Sequence, residues 1–164
     1  MVSWELYERV ASFLYREGDL LDRHQWQDWL ALFSPDVEYW VPSWDSDSYV
    51  TQDPKKEVCL FFIEGRKNLE YRLWRFTSGE SAASVPLPRT AHHVTNIEIV
   101  GKEDDLILVQ AKWLTHVYKK KEQSFFGGSS EYALSPQGES FLIKRKKSIM
   151  INDVVNVAVD LYHL

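Results

Sequence analysis

With 164 residues, 45% of them hydrophobic and 26% charged, the sequence has the balance of a soluble globular protein, and a single domain over 1–164 is expected. A net charge of −5 excludes the basic face of a general nucleic-acid binder. The lone cysteine, Cys59, excludes an internal disulfide, a Cys-held iron–sulfur cluster and a Cys-rich zinc site, and suits a reducing cytoplasm.

Met1 to Glu5 has no basic segment leading into an apolar run, so no signal peptide is read there. No apolar stretch reaches the roughly 20 residues of a membrane-spanning helix, and no membrane partner is expected. In chain order, Tyr7, Val10, Ala11, Leu14, Gly18 and Leu21 fall at three- and four-residue steps, one face of a helix that Ser3 would cap. Asp22 and Gln25 are placed to cap a second, shorter helix carrying Trp26, Trp29, Leu30 and Phe33, which Ser34-Pro35-Asp36 ends. Val37–Pro42 reads as a short strand, 43–56 as polar loop, and Val58–Ile63 as either strand or buried helix. Leu69, Leu73 and Phe76 predict a third helix, followed by a Ser-, Pro- and Ala-rich connection to about Pro88.

The second half changes character. His92–Val100, Leu106–Lys119, Gln123–Leu134 and Phe141–Ile151 read as four long strands, with turn chemistry at 101–105 and 135–138. Helices followed by an antiparallel meander make an α+β chain. The last segment, 152–164, receives no assignment. Alternation puts Ile107, Val109, Ala111, Trp113 and Val117 on the face toward the helices. The opposite face still carries Leu106, Leu108, Leu114, His116 and Tyr118. That row reads either as scattered surface hydrophobicity or as a face covered by another subunit. Seven Trp, eight Tyr and eight Phe suggest a large core, a pocket or a subunit interface.

Motifs for small-molecule chemistry are sparse. Neither G-x-G-x-x-G nor G-x-x-x-x-G-K-[ST] occurs, and Gly127-Gly128 reads as a strand irregularity. Asp45-x-Asp47 opens like a calcium loop but lacks its glycine, and Lys56 stands where the bidentate Glu belongs. The basic runs 119–121 and 144–147 divide their charges between two strand faces and read as a solvated edge. His24, His92, His93, His116 and His163 show no metal-ligand spacing, so no metal site is expected. One enzymatic arrangement remains. If His93 lies inward with Thr95, Ile97 and Ile99, it would reach a pocket where Tyr15, Asp22 or Asp36 completes an acid–base pair, as in a cone-fold dehydratase or isomerase. A small-molecule binding cone without chemistry is a third option.

The segment from Leu14-Tyr15-Arg16-Glu17 through Leu21-Asp22, with Trp26, Trp29-Leu30 and Asp36-x-x-Tyr39-Trp40-x-Pro42, resembles the N-terminal signature of the small (β) subunits of bacterial Rieske-type ring-hydroxylating dioxygenases. Arg89-Thr90-Ala91-His92-His93-Val94-Thr95-Asn96 is similar to that family's R-x-x-H-x-[VI]-[ST]-N. Val159-Asp160-Leu161-Tyr162-His163-Leu164 is similar to the C-terminal motif of its benzoate, toluate and anthranilate branch. The resemblance covers essentially the whole chain. It implies a cone-shaped roll like nuclear transport factor, with N-terminal helices packed in a curved, mainly antiparallel sheet. It implies a non-catalytic assembly subunit of an NADH-dependent oxygenase that cis-dihydroxylates an aromatic carboxylate. No cofactor is then expected on this chain. The Rieske [2Fe–2S] cluster and the mononuclear iron belong to a partner α subunit, in an α3β3 hexamer containing a β trimer. Catalytic residues are expected to be none, with His93, Asp22 and Tyr15 as the enzymatic alternative. Arg89, His92, Leu106, Leu108, Leu114 and Tyr118 are the interface candidates. His93 departs from the family, where Asn is familiar. Simple alternation sets His92 opposite Ile97 and Ile99, although a β-bulge would reverse that parity.

Overall fold

A computed structural model describes residues 2–155 and 157–164. Helix α1, Trp4–Asp22, begins where the Ser3 side chain accepts the Leu6 amide at 3.2 Å. Its buried stripe includes Val10, Ala11, Leu14, Gly18 and Leu21, as the spacing predicts, and also Glu17. Helix α2, Trp26–Leu30, has no side-chain cap. The expected Asp22 cap is corrected here, because that carboxylate is engaged elsewhere and His24 turns the chain with φ 55°. Helix α3, Arg66–Thr77, buries Leu69, Leu73 and Phe76.

Strand β1 spans Phe33–Pro42, two short strands Trp44–Ser46 (β2) and Tyr49–Val50 (β3) form a hairpin, and Cys59–Glu64 (β4) resolves the ambiguous segment as strand. Four long strands follow: β5 (Arg89–Glu103), β6 (Leu106–Lys119), β7 (Glu122–Gln137) and β8 (Ser140–Met150). The sheet order is β4-β1-β8-β7-β6-β5, antiparallel except where β1 runs parallel to β8. The meander therefore does not end at β8. The early strand β1 adds to it and carries β4 beyond, so the sheet is mixed and curved. It is not closed. The basic run on β8 is consequently not at an edge, which overturns the solvated-edge reading for Lys146.

The helices lie on one sheet face. Ile107, Val109, Ala111, Trp113 and Val117 of β6 face them and are buried, together with Thr115. Fully buried groups such as Leu14, Leu134 and Ile143 each contribute about 1.5–3 kcal/mol by leaving water. Gly127 and Gly128 lie in regular register opposite Leu114 and Trp113, so the expected irregularity is absent. The requirement at Gly128 is steric instead: a Cβ there would sit 1.9 Å from the Ile149 carbonyl oxygen.

Of the three register shifts in β5 and β8, two determine whether His92 and Lys146 point inward, and the third, between Ile99 and Gly101, lies farther along β5. On β5, Thr95 pairs with Lys112 but Glu98 with Gln110, so one extra residue is inserted around Asn96, whose φ is 51°. Asn tolerates that left-handed conformation better than most residues. On β8, Ala133 pairs with Arg145 but Leu134 with Ile143, an insertion at Lys144. Each insertion reverses the alternation beyond it.

The chain after β8 crosses back over the helix side. A single 3-10 turn, Leu161–His163, is capped by Asp160, and Leu161 to Leu164 are buried.

Candidate functional site

The bulge at Asn96 brings His92, rather than His93, to the inner face. His92 Nδ1 lies 2.5 Å from Asp22 Oδ1, the His92 amide donates to Oδ2 at 2.9 Å, and the Thr90 hydroxyl donates to Oδ1 at 2.7 Å. Asp22 ends α1, where the helix dipole disfavours a carboxylate. Burial pushes the Asp22 carboxyl up, but hydrogen bonds from the His92 ring and amide and from Thr90 outweigh it, leaving the group below the usual carboxylate range. Gly18 permits this approach, since a Cβ there would stand 2.9 Å from the His92 Cβ.

The expected site residues are distributed differently from the sequence reading. His93 and Tyr15 are exposed and Asp36 pairs with Lys144, so the arrangement of His93 with Tyr15, Asp22 or Asp36 does not assemble; alternation failed at the bulge. His92, expected outward at an interface, is corrected to an inner-face residue with its side chain 6% exposed.

A second polar cluster lies deeper. Lys146 Nζ donates to Glu17 Oε1 at 2.6 Å, and the Tyr132 hydroxyl donates to Glu17 Oε2 at 3.1 Å. The ammonium also sits over the Tyr39 ring at 4.9 Å from its centroid. Burial pulls the Lys146 pKa down, but the Glu17 charge more than compensates and holds it well above the usual lysine value. Burial, aided by the Glu17 charge, pushes the Tyr132 phenol up. The sequence reading missed this pair. Its signal was Glu17 inside the apolar stripe of α1, between Leu14 and Leu21; the β8 bulge then brings Lys146 inward beside Ser148 and Met150.

Around these groups the interior is filled. A void of about 20 Å³ remains, lined by residues that include Gly18, Leu21, His92, Trp113, Lys146 and Leu164. The tail closes it. Asp160 pairs with Arg72 at 3.0 Å, its amide donates to His163 Nδ1 at 2.9 Å, and the Tyr162 hydroxyl meets Ser84 at 3.1 Å. Burial pulls the His163 pKa down to about 4. Among the described residues, no group of three or more His, Cys, Asp or Glu side chains is placed to hold a metal ion. No helix among them is long and apolar enough to cross a membrane.

Residues 16–157 match the family of ring hydroxylating beta subunits. The chain belongs to that family. It is 35% identical to the toluate 1,2-dioxygenase subunit beta of Pseudomonas putida, over 96% of this chain and 98% of the relative. The crystal structure of the beta subunit of benzoate 1,2-dioxygenase from Burkholderia mallei matches with a TM-score of 0.80 and 31% identity, covering 100% of this chain and 99% of that one. A Novosphingobium aromaticivorans structure described as a scytalone dehydratase shares the fold, with a TM-score of 0.67 at 17% identity and coverage of 94% and 92%. The cone-shaped α+β roll is therefore the architecture of this small subunit of a ring-hydroxylating oxygenase.

The outer sheet face of this β subunit has two different ends. At one end Arg89 pairs with Tyr118, its guanidinium 4.8 Å from the ring centroid, and the next rows bring His116 opposite Phe125 and His93 opposite Leu114. Leu114, Tyr118 and Phe125 are exposed. At the other end a groove of about 580 Å³ is lined by residues that include Glu38, Trp40, Leu108 and Glu131. Arg145 clamps Glu103 there with bonds of 3.0 and 2.7 Å, and Lys147 lies over Trp40 at 4.5 Å. Leu106 and Leu108 are half-buried.

Proposed function

We propose that this chain, acting as one domain, is the assembly subunit of an oxygenase that cis-dihydroxylates an aromatic carboxylate, and that it carries no catalytic residue. The relatives named for toluate and benzoate, matched over nearly their full length, support that substrate class. In this reading a partner α subunit supplies the Rieske [2Fe–2S] cluster and the mononuclear iron. Three copies of each chain form the complex in the cytoplasm. Arg89, Leu106, Leu108, Leu114 and Tyr118 lie at contacts with neighbouring subunits, including other copies of this chain.

The observation that carries this reading is the contrast between a filled interior and an outer face that leaves Leu114, Tyr118 and Phe125 in water. The dehydratase alternative would use the Asp22–His92 pair, beside which the space is only about 20 Å³. The deciding experiment is purification of the chain from its native source under mild conditions. A larger, red-brown, iron-containing chain should come with it in equal amount, and the isolated small subunit should bind no iron. A stand-alone oligomer, or stoichiometric iron on this chain after desalting, would overturn the proposal.

A further inference from the structure

The interior holds a histidine with half of its hydrogen-bonding capacity unspent. With Nδ1 committed to Asp22 at the partly exposed end of α1, the other ring nitrogen is directed away from that end. His92 Nε2 is fully buried and has no hydrogen-bond partner. Buried polar atoms of this kind are uncommon, because each forgoes the water that it would otherwise bind. Trp113 Nε1, also buried and unpaired, belongs to a second residue lining the same void.

What covers this end of the interior is a terminal segment rather than a strand or a long helix. Val154 and Val157, before it, are exposed, and the short turn at 161–163 is anchored by separate polar contacts to Arg72 and Ser84. Leu164 lines the void itself. The tail thus borders the void through Leu164, while Leu161, Tyr162 and His163 are buried beside it.

We infer that residues 161–164 are a plug in a latent binding pocket, and that the unplugged pocket takes an uncharged, hydroxyl-bearing aromatic ring. The walls suit a ring, since Leu21, Val94 and Trp113 line the void. A charged ligand is disfavoured because Glu17 and Lys146 already neutralise each other, leaving no opposite charge to receive one. A hydroxyl both donates and accepts, so it satisfies Nε2 in either protonation state of the imidazole. In the intact chain such a ligand competes with the tail, and its apparent affinity falls by the fraction of molecules with the plug withdrawn. The inference stands independently of the assembly role, because it concerns the inner face alone.

The test uses phenol and toluene as probes, followed by ligand-observed NMR and titration calorimetry. The chain ending at Asp160 should bind phenol saturably and at least about tenfold more tightly than toluene, the difference expected for one buried hydrogen bond. The intact chain should bind both at least about tenfold more weakly than the truncated one. Adding His92→Phe to the truncated chain should abolish the preference for phenol while toluene still binds. Should the truncated chain fail to fold, His163→Ala/Leu164→Ala in the full-length chain opens the same end of the void while Asp160 and Tyr162 stay anchored, and the same measurements apply. A folded, unplugged variant that binds neither probe, or binds both equally, overturns the inference. So does a phenol preference that survives His92→Phe.

Discussion

The two faces of the sheet are built on opposite terms. On the inner face every strand contributes to one core, the buried charges of Glu17 and Lys146 are paired, and the tail closes the remaining opening. On the outer face the same strands present aromatic and aliphatic groups to water at one end, and a groove of charges at the other. The core needs the inner face, whereas the contacts on the outer one, such as Arg145 with Glu103 and Arg89 over Tyr118, lie in water. Stability and association should therefore separate cleanly by face, and substitutions can show whether they do.

The largest effect is expected at the buried ion pair. Glu17→Leu strands the Lys146 ammonium and frees the Tyr132 hydroxyl, which should cost about 3–5 kcal/mol of unfolding free energy in a urea titration. The double substitution Glu17→Leu/Lys146→Met removes both charges and should recover most of that loss. A single substitution costing under about 1 kcal/mol would show that the pair is solvated and that the inner face is less closed than described.

Acid should loosen the same face through His163. Its folded pKa, near 4, lies below the unfolded value of about 6.5, so below pH 6.5 the unfolded chain takes up a proton that the folded one refuses. Stability should fall as pH drops from about 6.5 to 4, by a total of about 3 kcal/mol, and no further on this account below 4. Asp22 acts in the other window. Its depressed pKa contributes stability above pH 3.8 that is lost as pH falls through the folded value. His163→Phe should flatten the dependence between pH 6.5 and 4 and leave the loss below it. An unchanged profile would place the tail in solvent.

How legible these faces were in the sequence differs strand by strand. The limits of β6 and its inward residues follow from plain alternation, and Leu69, Leu73 and Phe76 mark α3 by spacing alone. Both are elements in which one local period runs unbroken. The site was harder to read because single insertions at Asn96 and Lys144 reverse the parity of β5 and β8, sending His92 and Lys146 inward. Only the identity of Asn96, a residue tolerant of positive φ, hinted at the first, and nothing local marked the second. The parallel pairing of β1 with β8 depends on contacts more than a hundred residues apart, and the return of the tail to Arg72 and Ser84 on contacts 88 and 78 residues apart, which no local pattern encodes.

A moderate effect is expected where α1 meets β5. Asp22→Ala removes the acceptor of the His92 ring and amide and of the Thr90 hydroxyl, and should cost about 1–3 kcal/mol. Gly18→Ala should cost a similar amount for a steric reason, because its methyl group meets the His92 Cβ at 2.9 Å. Calorimetric melting checks both. If Gly18→Ala is neutral while Asp22→Ala is costly, the helix can move off the strand and the polar contacts alone hold His92.

The smallest effect on stability should come with the largest effect on assembly, and it lies on the outer face. Leu114 and Tyr118 are 43% and 37% exposed, so Leu114→Ser or Tyr118→Ser should change unfolding free energy by no more than about 0.5 kcal/mol. If this end of the sheet meets another copy of the chain, the same substitutions repeat at every contact of a closed ring, and sedimentation should show a trimer giving way to monomer. Arg89→Ala should act in the same direction, by freeing the Tyr118 ring that its guanidinium covers. The two ends of the face can also be told apart. Dissociation by Leu114→Ser should not depend on salt, because an apolar contact is lost. An effect of Arg145→Ala, which breaks the clamp on Glu103, should shrink as salt screens the exposed charges. A wild-type chain that sediments as a monomer at high micromolar concentration would remove the self-association. The exposed row would then be left to the α subunit alone, and the same substitutions should be tested for loss of α in co-purification.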